Sequence, residues 1–166
     1  GWVTEWHCDV PLWFEKLSRV LKNGSLLVVD YAMESKRYYN KSRKTGTLLS
    51  YRNQEANINI LKDAGFCDLT AHLCIESTIS YATRNGWEFI GETRQGQALL
   101  ALGLSKILYS LQKSASNDLS LALDRRESLL RLVDPMGLGE FRWLAFKKNN
   151  SNNLFLKNLF LEEPIS

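Results

Sequence analysis

Cysteine is scarce: Cys8, Cys67 and Cys74 are the only three. They are too few and too irregularly spaced for a disulfide framework or a zinc knuckle, so free thiols in a reducing compartment are expected. Histidine is scarcer still, with only His7 and His72, and no metal site is expected from so small a donor set. No apolar run approaches the roughly 18 residues needed to cross a bilayer, and the N-terminus lacks the charged-then-apolar layout of a signal peptide. These absences predict a cytoplasmic protein without membrane insertion. Charge of one sign is also short, since a formal net charge of +3 falls well below the density that points to nucleic acid. A glycine-rich turn from a strand into a helix is missing as well. The one candidate, "GLG" at 137–139, lies between a helical pattern and a strand pattern, the wrong setting for a nucleotide cradle.

What is present suits one ordinary core: 166 residues, 45% hydrophobic and 23% charged, as in globular domains. Pro11 and "LWFEKLSRVLKNG" give a helical stripe closed by Asn23-Gly24. "GSLLVVDYA" follows, and its four apolar residues 26–29 predict a strand buried on both faces. That strand runs straight into Asp30 and Tyr31, and the carboxyl ends of parallel strands are where α/β proteins hold ligands. The polar segment 33–66, with five basic residues and two adjacent tyrosines in "ESKRYYNKSRKTG", predicts a long inserted loop. It reads as a lid or, under a rival reading, as an RNA-contact patch.

Further on, "DLTAHLCI" (68–75) alternates as a strand, "ESTISYATRNG" as a helix, and "WEFIGETRQ" as a strand. "QALLALGLSKILYSL" predicts one helix, 118–133 a second ended by Pro135, and "EFRWLAFKK" a last strand. The Asn-rich "NNSNN" opens a polar to amphipathic tail, 149–166. This order is that of the second half of a doubly wound sheet. Residue 1 is Gly and "GWVTEW" reads like the middle of a domain, so a fragment of a longer protein is expected.

Taken together, "LLVVDYA", "GTLLSYR", "DLTAHL", "TRQGQALLALGL" and "LLRLVDPMGLGEFRWLAF" resemble the MidA-like family of class I S-adenosylmethionine-dependent methyltransferases. The resemblance spans roughly residues 2–147 as five ordered blocks. It implies an α/β fold in which residues 1–148 are the C-terminal half of a Rossmann-like methyltransferase sheet with flanking helices, 25–31 being its fifth strand. It implies S-adenosyl-L-methionine as cofactor, held mainly by an acidic residue and a glycine loop expected upstream of residue 1, so the chain alone is expected to be incomplete and inactive. Mitochondrial relatives methylate an arginine of a core complex I subunit and assist its assembly, which implies a protein partner of that type. Two positions depart from the family pattern: Leu49 stands where many members have Arg, and Gln54 where they often have His.

Methyl transfer to a guanidinium requires the nitrogen to be lined up with the methyl and the arginine held still. Carboxylates suit that task, because they pair bidentately with guanidinium. Asp30 is the first catalytic candidate, against a role as a helix cap or loop-satisfying acid. Asp68 is the second, although Asp-Leu-Thr ahead of a strand is also turn chemistry. His72, on one face of its strand with Thr70, reads as a catalytic residue or as a hydrogen-bonded packing residue. Tyr31 and Tyr51 fit the walls of an acceptor pocket, or ordinary rim aromatics. Glu5, beside Trp6, is a further substrate-binding candidate on the same rim. A non-catalytic assembly or interaction module derived from this fold is the alternative function.

Overall fold

The computed structural model describes residues 1–114 and 119–149. In chain order it contains α1 (Asp9–Val20), β1 (Gly24–Asp30), β2 (Ala32–Met33), α2 (Ser35–Tyr38), β3 (Leu49–Arg52), β4 (Glu55–Asn57), β5 (Asp68–Thr70) and β6 (Leu73–Cys74). Then follow α3 (Ile75–Arg84), β7 (Glu88–Arg94), α4 (Gln95–Ala101), α5 (Leu104–Ser114), α6 (Leu119–Val133) and β8 (Arg142–Lys148), with a 3-10 turn at Leu138–Glu140. The elements divide into two compact units, one of Gly1–Leu21 with Asp30–Trp87, the other of Lys22–Val29 with the chain from Glu88 onward.

In the first unit, α1 tolerates Pro11 in its opening turn, where an N–H would have no helical partner. Phe14 buries its inward face. The Trp87 indole N–H donates to Ser18 Oγ at 2.8 Å, and Ser18 donates to the Asn85 carbonyl at 2.8 Å, tying α1 to the end of α3. Gly86 takes a φ of +81° just after α3, as the Asn-Gly pair predicts. Two small sheets complete the unit: β2 and β6 run parallel with Ala32 opposite Leu73, and β4-β3-β5 is antiparallel. Met33, Tyr38 and Cys74 form a buried cluster.

The segment 33–66 is therefore not one long loop. It holds α2 and the β3/β4 hairpin, whose two-residue turn, Asn53 and Gln54 at φ of 50° and 67°, has the left-handed pair that matches strand twist. "DLTAHLCI" is likewise two short strands rather than one. Ala71 and His72 link them, because His72 makes its backbone bonds to side chains instead of a ladder.

The second unit carries the sheet β1-β8-β7. β7 and β8 pair antiparallel with Glu92 opposite Leu144, and the buried Arg142 meets both oxygens of Glu92 at 3.0 Å. Ala98 and Ala145 are fully buried, with Leu27, Ile90 and Trp143 packed on them. Gln95 ties the unit together: its amide donates to the Leu132 and Leu138 carbonyls at 3.0 Å and accepts from the Trp143 indole at 3.3 Å. A Cβ on Gly139 would lie 2.6 Å from the Val133 carbonyl, so this "GLG" glycine permits close packing on the end of α6.

Two expectations fail here. β1 is half-buried rather than buried on both faces, with Val29 exposed, since it stands at one end of the sheet order. The single helix expected over 97–111 is α4 and α5, separated where Gly103 takes a φ of +94°. The tail expected at 149–166 lies outside the described residues beyond Asn149. No described helix is long and apolar enough to cross a membrane.

Candidate functional site

The parallel pairing of β2 with β6 decides which candidate residues meet. Ala32 lies opposite Leu73, and the Leu73 N–H donates to the Tyr31 carbonyl at 2.8 Å. One step back along both segments, Tyr31 and His72 stand side by side, with ring centroids 5.6 Å apart. Asp30, the last residue of β1, precedes Tyr31, and its Oδ1 accepts the Tyr31 N–H at 2.7 Å. No helix begins there, so Asp30 caps none.

Glu5 lies at the centre of the bonds behind His72. Its Oε1 accepts the N–H groups of Thr47 at 2.6 Å and Leu48 at 2.8 Å. Its Oε2 accepts the hydroxyls of Thr47 and Tyr38, both at 3.2 Å. An ionised carboxylate offers about four acceptor positions, and four donors from Thr47, Leu48 and Tyr38 meet this one. Burial alone would raise the Glu5 pKa, but the N–H groups of Thr47, Leu48 and Glu5 itself, with the Thr47 hydroxyl, outweigh it and hold the carboxyl below its usual range. Gly46, at a φ of +75°, turns the chain against Glu5 so closely that a Cβ there would overlap the carboxylate.

Two side chains then grip the main chain of His72. Thr47 Oγ1 accepts the His72 N–H at 3.0 Å, and His7 Nε2 lies 2.9 Å from the His72 carbonyl. A carbonyl oxygen only accepts, so His7 Nε2 carries the proton. Tyr38 Oη, 3.0 Å from that nitrogen, can then only accept from it, and the phenol proton goes to Glu5. Burial first, then the charge of Glu5, pushes the Tyr38 phenol far above its ordinary value.

His72 itself is pushed the other way. Desolvation lowers its pKa first, Arg43 second and Arg37 more weakly, against the opposing pull of Asp30 and Glu5. A half-buried imidazole is thus kept neutral, and among the described residues its ring nitrogens have no hydrogen-bond partner within the chain.

Of the six residues expected from sequence, Glu5, Asp30, Tyr31 and His72 fall in this one region. Tyr51 and Asp68 do not join it. They face each other across β3 and β5, two residues beyond the pair Leu49 and Thr70, or about 7 Å along the strands. Sequence reading missed His7, Tyr38 and Thr47. The signals were there: His7 alternates with Glu5, Tyr38 is the first of the paired tyrosines, and Thr47 sits in the "GTLLSYR" block.

Cofactor and metal chemistry find less here. β1 leads into Asp30-Tyr31-Ala32 without a glycine, Gly46 is closed by Glu5, and Gly96, at the turn from β7 into α4, is packed with Gly139 against the end of α6. Among the described residues, then, none forms the glycine cradle that a dinucleotide-type or adenosyl cofactor takes from a strand-to-helix turn. No group of three or more metal-ligating side chains occurs among them. All three cysteines are free thiols.

Residues 1–93 match a family model described as "Putative S-adenosyl-L-methionine-dependent methyltransferase". A native crystal structure of an uncharacterized protein from Burkholderia thailandensis superposes with a TM-score of 0.83 at 24% identity, covering 100% of this chain and 43% of that one. A second, of a "likely methyl transferase" from the same organism bound to S-adenosyl-homocysteine, gives 0.83 and 24%, covering 100% of this chain and 42% of that one. This chain therefore spans less than half the length of these solved relatives. None of the curated proteins matches it. The fold is the mixed α/β Rossmann-like methyltransferase fold with flanking helices.

Proposed function

The chain belongs to this S-adenosyl-L-methionine-dependent methyltransferase family, and from that premise we propose that it supplies the acceptor side of a methyl transfer to an arginine side chain of a protein. The observation that carries the reading is Asp30 beside Tyr31 and a neutral His72. Asp30 is bonded to the chain through one oxygen, to the Tyr31 N–H, which leaves its second oxygen for a guanidinium. Tyr31 is exposed and offers a ring face to the same cation. A guanidinium that gains a methyl must lose a proton, and the imidazole of His72 is proposed to take it.

S-adenosyl-L-methionine, the proposed methyl donor, would supply an activated methyl on a sulfonium. The residues described here do not form its cradle. They bind, orient and deprotonate the acceptor. Tyr51 and Asp68, opposite each other on the neighbouring hairpin sheet, are proposed to contact the acceptor polypeptide beside its arginine. Glu5 acts from behind, since its four acceptor positions are filled. The likeness of the sequence blocks to the MidA-like family supports a partner such as a respiratory complex I-type subunit, and the three free thiols suit a reducing, cytoplasmic setting.

The second reading is an assembly or interaction module derived from this fold without catalysis. Asp30→Asn in the full-length protein separates the two. It keeps the shape and removes one charge, so methyl transfer is expected to fall by about 10- to 1000-fold with little change in thermal midpoint. Wild-type turnover at an unchanged midpoint would remove Asp30 from the site, and a large fall in midpoint would assign it to the scaffold.

A further inference from the structure

We propose that Thr47 and His7 are positioning residues for His72, each holding one of its two backbone groups from a different segment while Glu5 fixes both holders. The proposal rests on the reading of His72 as the proton acceptor and deepens it. Three directions of donation make the assembly rigid. Thr47 Oγ1 accepts the His72 N–H and donates its proton to Glu5 Oε2. The His72 carbonyl accepts from His7 Nε2, and that nitrogen also meets the Tyr38 phenol, whose proton goes to the same carboxylate. Both grips on His72 thus lead back to Glu5, which is itself bonded to the backbone at Thr47 and Leu48.

The location makes these grips matter. Thr70 before His72 pairs with Leu49 in one sheet, and Leu73 after it pairs with Ala32 in another. His72 stands in the gap, where no ladder fixes its backbone. Its imidazole has no hydrogen bond of its own within the described residues, so main chain and the Tyr31 ring contact set its direction. The groups that face it are Asp30 and Tyr31 from the β1–β2 side, Glu5 and His7 from the N-terminal segment, Arg37 from α2, and Arg43 from the segment between α2 and β3.

The test compares Thr47→Val, which removes the hydroxyl at nearly constant shape, with Thr47→Ser, which restores it, in the full-length protein. Two readouts are followed: the titration of the His72 imidazole by NMR, and kcat and KM for methyl transfer from S-adenosyl-L-methionine to an arginine-containing peptide. In Thr47→Val the His72 midpoint is expected to rise toward its ordinary 6.5 as the ring gains water. kcat falls by about 10- to 100-fold, as a small misplacement of a reacting group costs, with KM for the donor unchanged. Thr47→Ser returns both to near the wild type. Should Thr47→Val fail to fold, His7→Gln, which keeps a donor, against His7→Leu, which removes it, takes the same two readings. A lower thermal midpoint with His72 titration and kcat at wild-type values would overturn the proposal, leaving these as ordinary structural bonds. A wild-type protein that methylates no arginine would defeat the function reading, while the NMR titration would still decide the positioning claim.

Discussion

Replacing Glu5 by Ala leaves four donors without their carboxylate: two backbone N–H groups, the Thr47 hydroxyl and the Tyr38 phenol. The two N–H groups lie side by side, and a water entering the vacated space can bridge them. The hydroxyls are worse placed, since Tyr38 is 1% exposed and Thr47 5%. Tyr38 cannot turn its proton to His7, whose Nε2 is itself a donor. A buried donor left unmatched costs about 1–3 kcal/mol, so two of them give a loss of about 2–6 kcal/mol. For a chain of this size that lowers the thermal midpoint by roughly 4–24 °C. Urea unfolding followed by tryptophan fluorescence measures it, and Tyr38→Phe on the Glu5→Ala background should recover part of the loss by removing one orphaned donor. The pH dependence has a definite sign. Glu5 has a folded pKa below its ordinary 4.5, so its stabilisation is present above that value and is lost as pH falls through the folded pKa. A Glu5→Ala midpoint within about 1 °C of the wild type, or strict additivity with Tyr38→Phe, would refute the reasoning.

Because desolvation and then Arg43 keep His72 neutral down to a pH below its ordinary 6.5, kcat/KM should lose its acid limb only below that value, and Arg43→Met should shift the limb upward; a limb above 6.5 in the wild type would contradict this. At the hairpin tip Gln54 occupies a left-handed φ of 67°, so Gln54→Gly should stabilise the chain by about 0.5–1 kcal/mol in urea unfolding, and a destabilised variant would argue against this turn.

The elements legible in the sequence are those built from local signals. α1, α3 and α6 show an apolar stripe ended by Asn-Gly or Asp-Pro, and β7 and β8 show strand-forming residues between such stops. Segment 33–66 was opaque because its order comes from distant partners: Glu5 holds Thr47 and Leu48, and Glu76 holds the start of α2 through the N–H and hydroxyl of Ser35 at 2.7 and 3.0 Å. No window of sequence contains both ends of those bonds. The same holds for the site. Asp30 and Tyr31 stood out because a charge after four apolar residues needs a reason, whereas Thr47 and Tyr38 look like any polar loop residues until Glu5 is brought to them. The blocks "TRQGQ" and "LVDPMGLGEFRW" proved to be partners in packing, with Gln95 bonded to Leu132, Leu138 and Trp143.

The most direct test of the central claim locates the transferred methyl. The full-length protein is incubated with isotopically labelled S-adenosyl-L-methionine and an arginine-containing acceptor protein, and the product is fragmented by mass spectrometry. Label is expected on a guanidinium nitrogen of arginine, strongly reduced by Asp30→Asn and by His72→Ala in folded protein. Label on a lysine, a carboxylate or a nucleic acid instead, or label on arginine that survives both substitutions, would contradict it.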